Sequence, residues 1–173
     1  MTAKVSSINK TRKERPCSKC GKVLPVGSSV YVWSFFYGNS SQEHTQCMEC
    51  GYPKRCQLVQ NEDLSSIYAV EDDFLKEVGE ANDSSAFTAA VENARSGADD
   101  VISNLEEKIS NMESNNLGDS DPCQLLQERR DAIEEWIDEL ESVTIPDDVE
   151  GEDEEGEELE TAKEELQNIS LGI

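Results

Sequence analysis

Histidine is almost absent from this chain of 173 residues, since His44 is its only one. Any nucleophile–histidine–acid catalytic set would therefore have to use that single residue. The sequence also has no glycine-rich loop of the kind that holds phosphate groups in nucleotide-dependent enzymes. Its many carboxylates are expected on solvated helix surfaces rather than in acid–base pairs. We therefore predict that the protein is not an enzyme.

Long apolar runs are missing as well. No segment approaches the roughly 18 apolar residues that span a membrane, and residues 1–15 lack the apolar core of a signal peptide. These absences predict a cytoplasmic protein that does not contact a membrane. In a reducing compartment, paired cysteines are more often metal ligands than disulfides.

Basic residues become scarce after residue 60. Residues 1–60 hold nine Lys or Arg and three Asp or Glu, a net charge of +6. Residues 61–173 hold six Lys or Arg and 35 Asp or Glu, a net charge of −29, so that the whole chain carries −23. The basic part could contact nucleic acid, whereas the acidic part would be repelled by phosphates.

Four of the six cysteines form two C-x2-C-G motifs, Cys17–Gly21 and Cys47–Gly51, with 26 residues between Cys20 and Cys47. Two such pairs supply the thiolates of a closed, tetrahedral zinc site. The glycine after each pair allows the backbone to fold back over the metal. The predicted ligands of a structural Zn²⁺ are Cys17, Cys20, Cys47 and Cys50.

An alternative ligand set includes His44. This residue precedes Cys47 by three positions, so that His44 and Cys47 could supply the third and fourth ligands. The repeated C-x2-C-G motif favours four cysteines, which would leave His44 beside the site. The remaining cysteines, Cys56 and Cys123, are predicted to be a thiol near the site and an ordinary helix residue.

The strongest strand signal lies between the two cysteine pairs, at Val30–Tyr37, which is β-branched or aromatic everywhere except Ser34. Alternation places Tyr31, Trp33 and Phe35 on one face. That face is either a small core or a stacking platform for single-stranded nucleic acid. The basic residues expected around such a platform are Lys19, Lys22, Lys54 and Arg55.

After Pro53 the apolar spacing changes to the helical period, which predicts helices over about 63–80, 85–114 and 122–143. The last two carry heptad-like apolar seams and a short polar connection, so we predict an antiparallel hairpin. A two-helix hairpin has little to pack against, and a homodimer would cover its second face. Residues 147–158 are acidic and of low complexity, which predicts disorder or extension. A short final helix follows from the spacing of Leu159, Ala162, Leu166 and Ile169.

A family resemblance rests on two parts of the chain. The first is Cys17-x2-Cys20-Gly-Lys with Gly27, Tyr31 and Trp33, followed by the second cysteine pair. The second is Leu125–Asp131, with Glu135-Trp136 and Glu139–Glu141. Together they resemble small bacteriophage-encoded zinc-ribbon proteins, over about Cys17 to Val143. The resemblance implies a zinc ribbon on a helical hairpin and a location in the bacterial host cytosol. It carries over no catalytic residue.

The predicted fold class is therefore α+β, with a small N-terminal zinc ribbon, an antiparallel helical hairpin and an acidic tail. The predicted divisions are a flexible basic arm (1–15), the zinc module (16–57), the helical region (58–145) and the acidic tail (146–173). We expect a non-enzymatic interaction or regulatory protein that acts on a host or phage protein through its acidic helices. Two alternatives stay open. One is nucleic-acid binding through residues 1–60, and the other is inhibition by acidic helices that mimic DNA.

Overall fold

The computed structural model of the protein describes residues 2–37, 40–145 and 155–171. The chain divides into two compact units, Met1–Ser65 and Ser66–Ile173. Small antiparallel sheets and helices are both present among the described residues, so the α+β class predicted from the sequence is confirmed.

The first unit contains two sheets and two short 3₁₀ helices. Its strands are β1 (Ser6–Ile8), β2 (Arg15–Pro16), β3 (Val23–Leu24), β4 (Val30–Tyr37) and β5 (Ser40–Cys47). The 3₁₀ helices are Met48–Cys50 and Arg55–Leu58. One sheet has the order β1-β4-β5 and the other pairs β2 with β3, all antiparallel. The β4–β5 register sets Val30 opposite Cys47, which brings the second cysteine pair to the start of β4.

The three-stranded sheet carries an apolar cluster on each face because neighbouring residues of a strand point to opposite sides. Val30 and Val32 point to one side and pack with Leu24 and two of the motif cysteines. Trp33 and Phe35 point to the other side and pack with Leu58. Neither cluster is large, and the first is built around the cysteines themselves.

The prediction of a flexible arm over residues 1–15 is wrong. Ser6–Ile8 pair with Val30–Val32 as an edge strand, and the N–H of Ala3 donates to the carbonyl of Leu58 at 2.6 Å. Thr11 is buried. Backbone hydrogen bonds hold this segment to β4, and such bonds need no apolar pattern in the side chains. A polar, basic composition was therefore a poor guide to its order.

The second unit is built from four helices among the described residues. They are α1 (Glu62–Glu80, which begins within the first unit), α2 (Ser84–Ser114), α3 (Asp121–Ser142) and α4 (Glu155–Asn168). Asp83 caps α2 by accepting the N–H of Ala86 at 2.7 Å. Helices α2 and α3 pack side by side, and an ion pair of 2.6 Å joins Arg95 in the first half of α2 to Glu141 at the end of α3. None of the helices within the described ranges is long and apolar enough to cross a membrane.

The last described residues pack into this helical core. In α4, Ala162 and Leu166 are buried. Beyond the helix, the N–H of Leu171 donates to the buried carboxylate of Glu71 at 3.0 Å. Leu171 also lines a small apolar cavity with Trp136 and five other residues of α1, α2 and α3. Residues 146–154 lie outside the described residues, so the predicted disorder or extension is untested there, whereas for residues 155–158 it is wrong, because they form the first turn of α4.

The buried position of α4 bears on the expected homodimer. That expectation assumed a hairpin with an uncovered apolar face. Ile133 and Trp136 of α3 are each 2% exposed within the single chain. These side chains are thus already covered within one chain, so burial of an apolar face is no reason to expect a dimer. The oligomeric state stays a prediction.

Candidate metal centre

The first cysteine pair is held on a tight turn between β2 and β3. The N–H of Cys17 donates to the carbonyl of Lys22, and the N–H of Gly21 donates back to the carbonyl of Cys17, both at 2.9 Å. Gly21 has a φ of 71°, in the left-handed region that favours glycine. The turn therefore presents Cys17 and Cys20 on the same side, as the C-x2-C-G spacing predicts.

The second pair has the same local design. Cys47 ends β5, and Met48–Cys50 form one 3₁₀ turn. The N–H of Gly51 closes that turn on the carbonyl of Met48 at 3.0 Å, with a φ of 76° at the glycine. The N–H of Ser18 donates to the carbonyl of Thr45 at 2.7 Å, so that the two turns are tied together by the backbone.

All four sulfurs lie within 4.8 Å of one another. The Sγ–Sγ distance is 3.9 Å for Cys17 and Cys50, and also for Cys20 and Cys47. For Zn–S bonds of about 2.3 Å, the edge of a tetrahedron of sulfurs is about 3.8 Å. The thiols are all free. The donor set and its spacing thus fit a tetrahedral metal ion that prefers thiolates, and Zn²⁺ is such an ion.

One thiol in each C-x2-C turn has a shifted pKa, and the two shifts have opposite directions. Burial raises the pKa of Cys17, but hydrogen bonds from the backbone N–H groups of Cys20, Cys47 and Lys19 outweigh it and lower the pKa from 9.0 to about 6. The pKa of Cys50 is raised to about 12. The largest cause is a hydrogen bond with the side chain of Cys47, and the next is burial. Four adjacent sulfurs cannot all be thiolates without a cation, because their charges repel. A divalent metal would supply the missing positive charge and displace the remaining protons.

His44 lies outside the sulfur cluster. It stands opposite Trp33 in the β4–β5 pairing, and the two rings are stacked with centroids 5.5 Å apart. Residues three apart in a strand point to opposite faces. His44 therefore faces away from the side on which Cys47 packs, so the alternative ligand set with His44 is not the one that the structure assembles.

The predicted aromatic platform is wrong for two of its three residues. Trp33 is 3% exposed and Phe35 is 9% exposed, because both fill the apolar cluster under Leu58. Tyr31 is half-buried, and its ring contacts the edge of Tyr52 with centroids 5.3 Å apart. Buried rings cannot stack on bases, so this face is a small core.

The basic residues predicted around that face also have partners. Lys19 donates to the carbonyl of Cys50 at 3.2 Å. Lys22 forms an ion pair of 2.8 Å with Glu49, which raises the pKa of the lysine. Lys54 and Arg55, at the start of the second 3₁₀ helix, likewise make polar or electrostatic contacts. Lys19 and Lys22 thus link the two cysteine turns instead of forming a free basic face.

A buried glutamine supports the second cysteine turn, and the sequence did not reveal it. Gln46 is 0% exposed. Its Nε2 donates to the carbonyls of Cys50 and Gly51 at 3.4 and 3.1 Å, and its Oε1 accepts from Gln57 at 3.3 Å. A single glutamine before a cysteine has no recognisable motif. Strand alternation could only have placed it on the buried aromatic face.

The two other cysteines are separate from the cluster. Cys56 lies half-buried in the second 3₁₀ helix, and Cys123 is fully buried in α3.

Comparison of the chain with protein-family models, with curated proteins and with solved structures gives no match. The geometry of the four sulfurs is therefore the main guide to function.

Proposed function

We propose that the protein is a non-enzymatic zinc protein of phage origin that acts by binding a protein partner. The observation that supports the metal-binding part of the proposal is the cluster of four cysteine sulfurs within 4.8 Å. If all four bind one Zn²⁺, the ion has no open position for water or substrate. Its role is then to hold the first unit together as a zinc ribbon, and catalysis at the metal is disfavoured.

The partner surface in this proposal is the acidic exterior of the helices. Thirty-five of the 38 Asp and Glu residues follow residue 60. Most apolar side chains of the helices are buried, with Leu75 and Leu125 as exposed exceptions, so charge dominates what the helices present to a partner. Exposed carboxylates on α3 illustrate this surface, with Glu134, Glu135 and Asp138 between the buried positions. Such a surface is complementary to a basic face of another protein.

The metal part of the proposal is tested by measuring the zinc content of the purified chain. We expect one zinc per chain, lost in Cys20→Ser and in Cys47→Ser. Cys56→Ser is the matched control, because that thiol lies outside the cluster, and it should keep the zinc. One zinc that survives both ligand substitutions would refute the assignment.

The partner part is tested by capture from bacterial lysate, with and without nuclease. We expect a protein that is retained after nuclease treatment and lost from the triple variant Glu134→Gln, Glu135→Gln, Asp138→Asn. Lys19→Gln with Lys54→Gln, in the first unit, should retain it. Capture that is lost after nuclease treatment, or that is unchanged in the triple carboxylate variant, would count against binding through the acidic helices.

A further inference from the structure

A cleft on the first unit lies among residues that the metal centre does not use. It has a volume of about 370 Å³ and is lined by Ile8, Lys10, Thr11, Arg12 and Arg15. Three of these five residues are cationic, and none is acidic or aromatic. A ligand held there would meet positive charge on several sides and no ring for stacking.

Two of the three cations are uncompensated. Arg15 contacts the carboxylate of Glu43 and also approaches the hydroxyl of Thr45 at 3.5 Å. Lys10 and Arg12 are exposed, and neither pairs with a carboxylate among the described residues. Lys19 and Lys22, in contrast, are already occupied at the cysteine turns. Lys4 and Lys13 are likewise exposed, but only Lys10 and Arg12 combine exposure with a place in the lining of the cleft.

The backbone between the two free cations is fixed. The N–H of Thr11 donates to the carbonyl of Ser28 at 3.0 Å, and the N–H of Gly27 donates to the carbonyl of Thr11 at 2.9 Å. The hydroxyl of Thr11 donates to the carbonyl of Pro25 at 3.0 Å, and the hydroxyl of Ser29 donates to the carbonyl of Asn9 at 2.9 Å. Lys10 and Arg12 therefore extend from an ordered wall, which reduces the entropy lost when a ligand binds.

We propose that this cleft binds phosphate groups by charge and hydrogen bonding, without reading a base. A phosphate presents several anionic oxygens, which suits the planar fork of arginine and a neighbouring lysine. Because no aromatic residue lines the cleft, stacking on bases is not expected, and contacts to phosphate alone carry no sequence information. The phosphate can come from a nucleic-acid backbone or from a free phosphate, and the experiment separates these sources.

The test uses the full, zinc-loaded chain and two probes, a fluorescent thymidine oligonucleotide and inorganic phosphate. We expect Lys10→Gln with Arg12→Gln to weaken binding about tenfold or more at low salt. The matched control is Lys4→Gln with Lys13→Gln, which removes the same charge at exposed residues outside the cleft. The control should weaken binding less than about threefold. Arg12→Lys keeps the charge but removes the planar fork of the guanidinium. It should weaken binding by an amount between those of the two double variants.

The outcomes separate the two sources and can overturn the proposal. Displacement of the oligonucleotide by millimolar inorganic phosphate supports a free phosphate, and binding of the oligonucleotide alone supports a nucleic-acid backbone. Equal weakening by both double variants would mean diffuse attraction, and would overturn the proposal. So would the absence of binding to either probe, or equally tight binding of polyglutamate. Zinc content and circular dichroism show whether each variant is folded.

Discussion

The two units of this protein are stabilised by different means. The first unit has a small apolar cluster on each face of a three-stranded sheet, and one of these clusters contains Cys17 and Cys47. The second unit buries large side chains from several helices, with Phe74, Phe87 and Trp136 among the largest. A domain of about 60 residues buries a smaller share of its surface than a larger one and is only marginally stable, so that a metal ion can contribute much of its stability. We therefore predict that the first unit depends on the proposed zinc ion and that the second does not.

The largest expected effect is the loss of the first unit when zinc is removed. Structural zinc contributes about 10 kcal/mol or more to the folding of small modules, so a strong chelator should unfold the first unit and leave the helices folded. The chain contains two tryptophans, both buried, with Trp33 in the first unit and Trp136 in the second. Fluorescence of Trp136→Phe then reports on the first unit, and that of Trp33→Phe on the second.

The proposed difference between the two units would be contradicted if the fluorescence of both tryptophans changed together on addition of the chelator. That result would mean that the helices also depend on the metal. If neither responded, the apolar clusters of the first unit would be sufficient without zinc. The Cys56→Ser variant should respond to the chelator as the unsubstituted chain does, since its thiol is not in the cluster.

The second expected effect is a loss of stability when α4 loses its central contact. Leu166 is 0% exposed, and Leu→Ala at such a site costs about 2–5 kcal/mol. We expect Leu166→Ala to lower the denaturant midpoint reported by Trp136 and to leave the zinc content unchanged. Glu165→Ala, one residue earlier and exposed, is the matched control and should change little. Equal midpoints for both variants would contradict the packing of α4.

The metal cluster and α4 show where sequence reasoning succeeds. The C-x2-C-G motif is local: two ligands and the glycine that shapes their turn lie within five residues, so spacing alone predicted which cysteines meet. Local apolar spacing also indicated a helix around Ala162 and Leu166. It could not show what that helix would pack against, because the partner residues come from distant helices. The buried carboxylate of Glu71, which accepts the N–H of Leu171, has no signal in the sequence.

The first unit shows the complementary limit. Strand β1 joins the sheet through backbone hydrogen bonds, and its polar sequence resembles that of a disordered arm. The aromatic alternation of β4 correctly predicts that Trp33 and Phe35 share a face. Whether that face is exposed or buried depends on Ala3, Val5 and Leu58, which pack against it from distant parts of the chain.

The third expected effect is a weaker metal site when its buried glutamine is removed. Gln46→Ala takes away the donor to the carbonyls of Cys50 and Gly51. Groups that orient metal ligands typically contribute about 10–100-fold to metal affinity. We expect a loss in this range in a competition titration with a chromophoric chelator. Gln42→Ala on the exposed part of the same strand should keep full affinity, and equal losses from both would show that Gln46 has no specific role.

The smallest expected effect concerns ion pairs, and it extends the comparison to the surface. Lys22–Glu49 links the two cysteine turns, and Arg95–Glu141 links α2 to α3. In each pair both side chains are more than 40% exposed, so that solvent and salt screen the attraction. We expect Lys22→Gln to change zinc affinity by less than about threefold, with the change disappearing at high salt. Arg95→Gln should likewise cause little change in the denaturant midpoint that the fluorescence of Trp136 reports. A large effect of Lys22→Gln that persists in high salt would instead mean that its charge offsets the thiolates directly, and the first unit would then depend on surface charge in a way that the second does not.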